Sequence, residues 1–481
     1  MPGIVFVTAF LDLREDRSKD KSVVTCFNHF TSLAKTGANI HLSLSRCYQN
    51  TYETICKDYP NVIVEYLELS DLQTYKEIAD IDVRLPDIRT GYHDTRAFLT
   101  LMNSKAELLA RATKNPLLRA SHYAWIDFSI FHVFKHPERT TEYLRMLSGT
   151  RLRENCMLVA GCWPNRGING DSIFQRVNWR FCGGFLVGSV ARIIELDLIY
   201  RNHFRSIVIE KGLTWEVNMM AFFENTYGWS PEWFQGGHDD TIVVIPPHSI
   251  PVVASLTTIP SRTRNCISTI DSLLPQVDHI YLSVCKKYTR FSESWETPDI
   301  LYKEPYASKV TVVFSEDFGP ATKYLGAIHN IPEYTWTFIC DDDQVYHPTL
   351  LNRMLPSVQS SAVYQNHYEH IKRKTSGGVI HGYVGLLINS AHIAKLGAFP
   401  LPEVARFVDD QWMSIYCYMN KLPIIGTSVE EYKDIFAVLQ GWHEQIGPDS
   451  LASLNNRGTM VNAIAEFFRV QFIGGEVFPI D

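Results

Sequence analysis

Three prolines within six residues, Pro246, Pro247 and Pro251, divide the chain near its middle. Such a segment cannot lie inside a helix or a central strand, because proline lacks a backbone N–H and its ring fixes φ. The chain has 481 residues, which is more than one hydrophobic core normally organises. We therefore predict two domains, at residues 1–245 and 250–481.

An apolar run begins each half of the chain, at residues 4–10 and at 252–259, and its β-branched content is typical of a buried strand. In the first half the pattern then predicts helices at 23–35 and 51–58 and strands at 40–45 and 62–67. In the second half it predicts a helix at 267–274 and a strand at 279–284. This alternation predicts an α/β fold with a mostly parallel sheet in each half.

The two halves also share an order of features, which indicates a weak internal repeat. Each half has an apolar strand ending in aspartate, a glycine-rich apolar segment, an acidic helix start and a late histidine. In the first half these features are residues 125–127, 182–188 and 215–218 and His238. In the second half they are residues 338–343, 381–385 and 408–412 and His443.

Three consecutive carboxylates, Asp341, Asp342 and Asp343, follow a predicted strand at 335–340. Ligands bind at this end of the strands in open α/β sheets. Crowded carboxylates raise one another's pKa values unless a cation neutralises them. Because hard oxygen ligands favour Mg²⁺ or Mn²⁺, which also bind diphosphates, the run predicts a metal site. The alternative is a solvated acidic turn before a helix at 348–355.

These motifs resemble those of known protein families. Residues 338–343 resemble the Asp-x-Asp motif of GT-A-type glycosyltransferases, and residues 408–412 resemble the acidic motif that supplies their catalytic base. The first half resembles bacterial HtrL/YibB-type proteins in residues 4–10, 125–129, 182–189, 214–218 and 233–242. The resemblances imply two tandem GT-A-like, Rossmann-like domains that bind a nucleotide sugar, with a UDP-sugar favoured over a GDP-sugar.

The resemblance also implies a role for each candidate residue. Asp410 is the favoured base of an inverting second domain, Asp409 is a helix N-cap or an acceptor-orienting group, and Glu216 is the candidate base of the first domain. The implied metal ligands are Asp341, Asp343 and His443 in the second half and Asp127 and His238 in the first. The implied nucleotide or diphosphate contacts are Thr8, Arg14, Lys105, Thr257, Thr258, Pro260, Arg262, Gly319, Lys323 and Asp342.

The first half departs from the Asp-x-Asp pattern, since Asp127-Phe-Ser129 offers one carboxylate where two are expected. Two arrangements therefore stay open. One is a bifunctional glycosyltransferase, a hexosyl- or pentosyltransferase that acts on a glycan or glycoprotein acceptor. The other is one active domain beside a degenerate scaffold or glycan-binding domain, in which Trp163, Trp229 and Trp233 would stack on sugars.

Charge and cysteine usage limit the partners and the compartment. A formal net charge of −7, with one basic cluster at 372–374, argues against nucleic-acid binding. The ten cysteines include no Cys-x-x-Cys pair, so we expect a reducing compartment and a cytoplasmic location. Arg192, Glu195 and Asp197 interrupt the apolar stretch at 181–200, so we predict no transmembrane segment and allow at most peripheral membrane contact.

Overall fold

The computed structural model describes residues 3–13, 22–90, 94–165, 172–332, 335–355, 363–365, 379–382, 385–426, 436–438, 451, 456–474 and 476–480. The chain forms two compact units, Met1–Ser249 and Ile250–Asp481. The division between them falls inside the proline-rich segment.

The first unit contains a seven-stranded sheet among its described residues. The strands are β1 (Ile4–Phe10), β2 (Ile40–Leu44), β3 (Val62–Tyr66), β4 (His122–Ile126), β5 (Met157–Gly161), β6 (Phe185–Ser189) and β7 (Glu232–Gln235). The α-helices are α1 (Val23–Ala34), α2 (Gln49–Ile55), α3 (Gln73–Ile78), α4 (Arg96–Asn103), α5 (Lys105–Ala112), α6 (Pro137–Ser148), α7 (Val190–Lys211) and α8 (Glu216–Thr226).

The second unit also contains a seven-stranded sheet and, in its described part, two short strand pairs. The strands are β8 (Val252–Thr257), β9 (His279–Cys285), β10 (Val310–Ser315), β11 (Trp336–Ile339), β12 (Gln344–Tyr346), β13 (Val363–Gln365), β14 (Leu386–Asn389), β15 (Ile424–Gly426), β16 (Phe436–Val438), β17 (Val470–Ile473) and β18 (Glu476–Pro479). The α-helices are α9 (Thr263–Leu273), α10 (Tyr306–Lys309), α11 (Thr322–Leu325), α12 (Leu350–Met354), α13 (Ser390–Leu396), α14 (Asp409–Met419) and α15 (Arg457–Phe467).

The two large sheets have the same topology. Their strand orders are β3-β2-β1-β4-β6-β5-β7 and β10-β9-β8-β11-β14-β13-β15. In each sheet one strand, β6 or β14, runs antiparallel to both of its neighbours, and the other pairings are parallel. The predicted α/β class with two mostly parallel sheets is confirmed. The carboxyl ends of the parallel strands therefore lie along one edge of each sheet, where ligands bind in such folds.

The central strands are apolar on both faces. In β1, Ile4, Val5, Phe6 and Val7 are fully buried, and all five residues of β4 are buried as well. A strand that is covered on both faces has a continuous apolar run instead of an alternating one. This is why the apolar runs alone located these strands in the sequence.

Several element boundaries differ from the predicted ones. Residues 96–112 form two helices, α4 and α5, which meet at Ser104. The Ser104 hydroxyl donates to the carbonyl oxygen of Thr100 at 2.8 Å, and such a local bond competes with helical hydrogen bonding. The helix predicted at 348–355 is shorter and spans Leu350–Met354.

The apolar stretch at 181–200 does not form one apolar helix. Its second half is the start of α7, which has 22 residues and carries Arg192, Glu195 and Asp197. Across the described residues, we find no helix with the length and apolar character needed to cross a bilayer. All ten cysteines are free thiols.

We expect residues 1–249 and residues 250–481 to fold when they are expressed separately. Each unit has its own sheet and its own buried apolar cluster, and no residue of either cluster comes from the other unit. Urea unfolding followed by circular dichroism should give a cooperative transition for each fragment. Loss of the transition in both fragments, with a cooperative full chain, would show that the units fold only together.

Candidate functional site

A cavity of about 440 Å³ lies at the carboxyl ends of β8, β9 and β11 in the second unit. The predicted site residues that line it are Thr257, Thr258, Arg262, Gly319, Lys323, Asp341, Asp342, Asp343, Asp409 and Asp410. Pro260 was predicted to contact the nucleotide but does not line this cavity. Its place in the short turn at Pro260–Arg262 directs the chain into α9 instead. His443 lies outside the described residues.

One of the residues that line this cavity is a buried lysine. Lys323 is 2% exposed, and its Nζ lies 2.6 Å from Asp341 Oδ1 and 2.9 Å from Asp409 Oδ2. The Ser255 hydroxyl of β8 donates to the Lys323 carbonyl oxygen at 2.7 Å, which ties α11 to the sheet. Burial disfavours the ammonium, but the two carboxylates outweigh it and raise the pKa of Lys323. Lys323 is therefore a fixed positive charge.

The three consecutive aspartates have different environments. Asp342 is buried, and its Oδ2 accepts a hydrogen bond from the Thr258 hydroxyl at 2.5 Å. Burial raises the pKa of Asp342 to about 7, against the opposing charge of Arg262. Asp343 lies 3.3 Å from the same Arg262 guanidinium, and its pKa is raised by burial and by the charge of Asp341. Asp341 and Asp343 are more exposed to the cavity than Asp342.

These carboxylates fit one kind of metal site. Within the described ranges, no three His, Cys, Asp or Glu side chains are arranged to hold a metal ion by themselves. Mg²⁺ typically uses one or two carboxylates and takes its other ligands from water and substrate phosphates. Burial and then the charge of Asp341 raise the pKa of Asp343, and a bound cation would favour its ionised form. Asp341 and Asp343 thus suit a cation that is shared with a diphosphate.

Helix α14 brings two more carboxylates to the cavity. The helix begins at Asp409, and its N-cap is Val408, so the predicted N-cap role of Asp409 is wrong; Asp409 pairs with Lys323 instead. Asp410 Oδ1 accepts a hydrogen bond from the Gly382 backbone N–H at 3.0 Å. Burial raises the pKa of Asp410 to about 7, the charge of Asp409 adds to the shift, and Lys323 opposes it.

Gly382 is a residue of the site that was not predicted individually. A Cβ at this position would lie 2.5 Å from Lys323 Nζ and 2.7 Å from Asp410 Oδ1. No side chain fits there without displacing one of these groups. The glycine-rich segment at 381–385 was the only signal in the sequence, because it predicts a close backbone approach without naming the partner.

The loop before α11 holds a second set of residues that sequence reasoning missed. The Asp317 carboxylate accepts from the backbone N–H groups of Thr289 at 2.6 Å and Gly319 at 2.8 Å. Gly319 has a φ of 63°, and a Cβ there would lie 2.3 Å from the Arg406 carbonyl oxygen. Gly319 was expected to let the backbone approach a ligand, but its close neighbour is this carbonyl. Tyr288, Arg290, Phe291, His381 and Arg457 also line the cavity.

The first unit contains a similar buried lysine. Lys105 is 4% exposed, and its Nζ lies 2.7 Å from Glu216 Oε1 and 3.2 Å from Asp127 Oδ1. It also donates to the Gly183 carbonyl oxygen at 2.7 Å, and the Trp125 indole N–H donates to Asp127 Oδ1 at 2.7 Å. These protein oxygens surround the Lys105 ammonium, as two carboxylates hold that of Lys323, and this burial argues against the nucleotide contact predicted for each lysine.

The other candidates of the first unit have different environments. Thr8 is fully buried inside β1, which is inconsistent with its predicted nucleotide contact, and Arg14 lies outside the described residues. His238 is exposed, and its ring centroid lies 6.1 Å from that of His132. Trp229 is 1% exposed and cannot stack on a sugar, whereas Trp163 is 51% exposed.

Comparisons with known proteins give only distant likenesses. No protein-family model matches the chain, and no curated protein matches it. Among solved structures, mouse xyloside xylosyltransferase 1 is 7% identical over 48% of this chain and 84% of its own, with a TM-score of 0.26.

Two further structures have similar values. The catalytic domain of Drosophila β1,4-galactosyltransferase 7 is 13% identical over 44% of this chain and 80% of its own, with a TM-score of 0.27. The 4-diphosphocytidyl-2C-methyl-D-erythritol synthase of Anaerococcus prevotii is 12% identical over 50% of this chain and 88% of its own, with a TM-score of 0.25. At these TM-scores the likenesses carry no argument about function, which must come from the site itself.

Proposed function

We propose that the second unit is a glycosyltransferase that uses Mn²⁺ or Mg²⁺ to bind a nucleotide-sugar donor, with a UDP-sugar favoured. It transfers a hexosyl or pentosyl group to a glycan or glycoprotein acceptor with inversion at the anomeric carbon. The observation that carries the proposal is the meeting of Asp341, Asp343 and Asp410 in one cavity of about 440 Å³. This volume lies in the usual range for small-molecule sites.

The carboxylates divide into two groups with different tasks. Asp341 and Asp343 are the more exposed members of the acidic run and would hold the cation that carries the donor diphosphate. The bound cation would offset the negative charge that develops on the departing diphosphate. Lys323 and Arg262 hold these carboxylates in position through the ion pairs described above.

Asp410 is the proposed general base. With a pKa of about 7 it is a carboxylate in about half of the molecules at neutral pH, and it is basic enough to accept a proton. As the acceptor hydroxyl forms its bond to the anomeric carbon, Asp410 would take the hydroxyl proton. The diphosphate departs from the opposite face with the electron pair of the broken bond, which inverts the anomeric centre. The Gly382 N–H fixes one Asp410 oxygen and orients the carboxylate.

The alternative interpretation of Asp341 to Asp343, a solvated acidic turn before a helix, agrees less well with the geometry of the cavity. Asp342 and Asp409 are both buried, and solvation does not account for carboxylates that are held by Thr258 and Lys323. Burying several carboxylates in one cavity is costly in free energy. Such a cost is common at functional sites, where perturbed pKa values are needed for chemistry.

Thermal unfolding with nucleotides tests the proposal. We expect UDP or a UDP-sugar, with Mn²⁺, to raise the melting temperature of the full chain, because a ligand at 100 times its Kd stabilises by about 2.7 kcal/mol. GDP-sugars with Mn²⁺ are tested in parallel, and each nucleotide is repeated in EDTA as the matched control. The absence of any Mn²⁺-dependent shift with either nucleotide class would contradict the proposal.

A further inference from the structure

The strands of the two sheets correspond residue by residue. In the first sheet Ile4 pairs with His122, and His122 pairs with Ser189; in the second Val252 pairs with Trp336, and Trp336 pairs with Asn389. Ser189 and Asn389 then each cap the following helix with their side chains. Continuing along the strands makes Asp127 equivalent to Asp341, and β1 equivalent to β8.

An ion triad occupies equivalent positions in both units. Its central lysine comes from the helix before β4 or β11, one carboxylate follows that strand, and the other is the first residue of α8 or α14. The members are Lys105, Asp127 and Glu216 in the first unit and Lys323, Asp341 and Asp409 in the second. The triad belongs to the shared framework and is not restricted to the unit with the acidic run.

Two of the residues with proposed chemical roles, Asp343 and Asp410, have no carboxylate counterpart in the first unit. The same correspondence puts Phe128 and Ser129 where the second unit has Asp342 and Asp343. Val217, the second residue of α8, stands where Asp410 follows Asp409 in α14. The first unit therefore lacks the second carboxylate of the proposed metal pair and the base, because a hydroxyl brings no negative charge to a cation and an isopropyl group cannot take a proton.

Aromatic rings fill the equivalent space in the first unit. The position of Thr258, whose hydroxyl bonds Asp342 in the second unit, is occupied by Phe10. The Phe10 and Phe128 rings stack with centroids 4.5 Å apart, and Phe30 stacks on Phe128 at 4.6 Å. A packed cluster of aromatic rings thus replaces the hydrogen-bonded pair of Thr258 and Asp342. Its side chains offer a diphosphate neither charge nor hydrogen-bond donors.

We propose that, within the part of the chain that the structure describes, only the second unit forms a nucleotide-sugar site, and that the lysine triad is a framework to which this unit adds a second carboxylate ligand and a base. The inference rests on the proposed transfer activity of the second unit. Between the two arrangements that the sequence leaves open, it favours one active unit over a bifunctional enzyme. It also makes Lys323 a positioning residue, which acts through Asp341 and Asp409.

Counting bound nucleotides tests the single site directly. Isothermal titration of the full chain with UDP in saturating Mn²⁺, and with GDP in parallel, should give one nucleotide per chain. Asp343→Ala, or Asp343→Asn if the alanine variant does not fold, should reduce the number to none. Two nucleotides per chain, or one remaining in a folded Asp343 variant, would overturn the inference. Binding of neither nucleotide by the wild type would instead contradict the proposed function, and the inference with it.

The two lysines provide a matched pair for the framework role. Lys105→Met and Lys323→Met should each lower the melting temperature by several degrees, because each leaves buried carboxylates without a counter-charge. Only Lys323→Met should also lower kcat, by more than about 10-fold below its melting temperature, with partial rescue in Lys323→Arg. UDP affinity should survive in Lys105→Met. Loss of UDP affinity in Lys105→Met would indicate that the nucleotide binds to the first unit. An unchanged kcat in folded Lys323→Met would refute the positioning role.

Discussion

Replacing Asp343 with alanine should reduce sugar transfer by more than about 100-fold. Losing a residue that only supports a metal ligand costs about 10- to 100-fold, and losing a ligand itself should cost more. Asp343 is one of the two more exposed carboxylates of the acidic run, so its loss would leave Asp341 as the remaining one of the two proposed carboxylate ligands. Removing the cation with EDTA should have the same effect, and added Mn²⁺ should restore activity to the wild type but not to the variant.

The fold should survive this substitution. Burial and the charge of Asp341 raise the pKa of Asp343 in the folded chain. A raised carboxyl pKa means that ionised Asp343 is less stable in the folded than in the unfolded chain at neutral pH. Removing it should therefore not lower the melting temperature at pH 7. Ser129→Ala, at the equivalent position of the first unit, is the matched control and should leave transfer unchanged. Full wild-type activity in EDTA would contradict the metal-dependent mechanism.

The strands and the acidic run could be predicted because their signals are local. The apolar runs of β1 and β8 contain enough β-branched and aromatic residues to identify buried strands by themselves. Asp341 to Asp343 directly follow such a run, so their location at the carboxyl edge requires only the strand assignment. The proline-rich segment is equally local, since proline excludes helix interiors and central strands wherever it occurs.

The lysine triads could not be predicted, because each joins three distant parts of the chain. A lysine in a helix has the same sequence signature whether it is solvated, as most are, or buried between two carboxylates. The burial of Lys105 depends on Asp127 and Glu216, which are 22 and 111 residues away. The stack of Phe10 on Phe128 could not be predicted for the same reason, because these two residues are distant in the sequence. Only the common topology of the two sheets shows which residues correspond.

The pairing of Lys323 also separates the tasks of Asp409 and Asp410. Adjacent residues at a helix start point in different directions, and the sequence favoured Asp410 as the base and Asp409 as an N-cap or acceptor-orienting group. Asp409 is held by an ion pair with Lys323 at 2.9 Å, so its carboxylate is engaged within the protein. Asp410 contacts a backbone N–H and has a pKa raised to about 7 by burial. The geometry therefore favours Asp410.

Replacing Asp410 with asparagine should reduce kcat by at least about 100-fold, the lower range for losing a general base. The amide keeps the size of the side chain and can still accept from the Gly382 N–H, but it cannot take a proton. UDP affinity in Mn²⁺ should survive, because the donor diphosphate is assigned to the other carboxylates. Stability at pH 8 should not fall, since a carboxyl with a raised pKa is penalised when it ionises in the folded chain.

The pH dependence of kcat distinguishes a base from a residue that only shapes the helix start. The base acts in its ionised form, so wild-type kcat should rise with pH and level off above the pKa of about 7. At pH 6 only about a tenth of the molecules would carry the ionised base. This rise should disappear in Asp410→Asn and persist in Asp409→Asn, which alters the pair with Lys323 and leaves the proton acceptor in place. Near-normal kcat in Asp410→Asn, or the same pH profile in both variants, would remove Asp410 from the proton transfer.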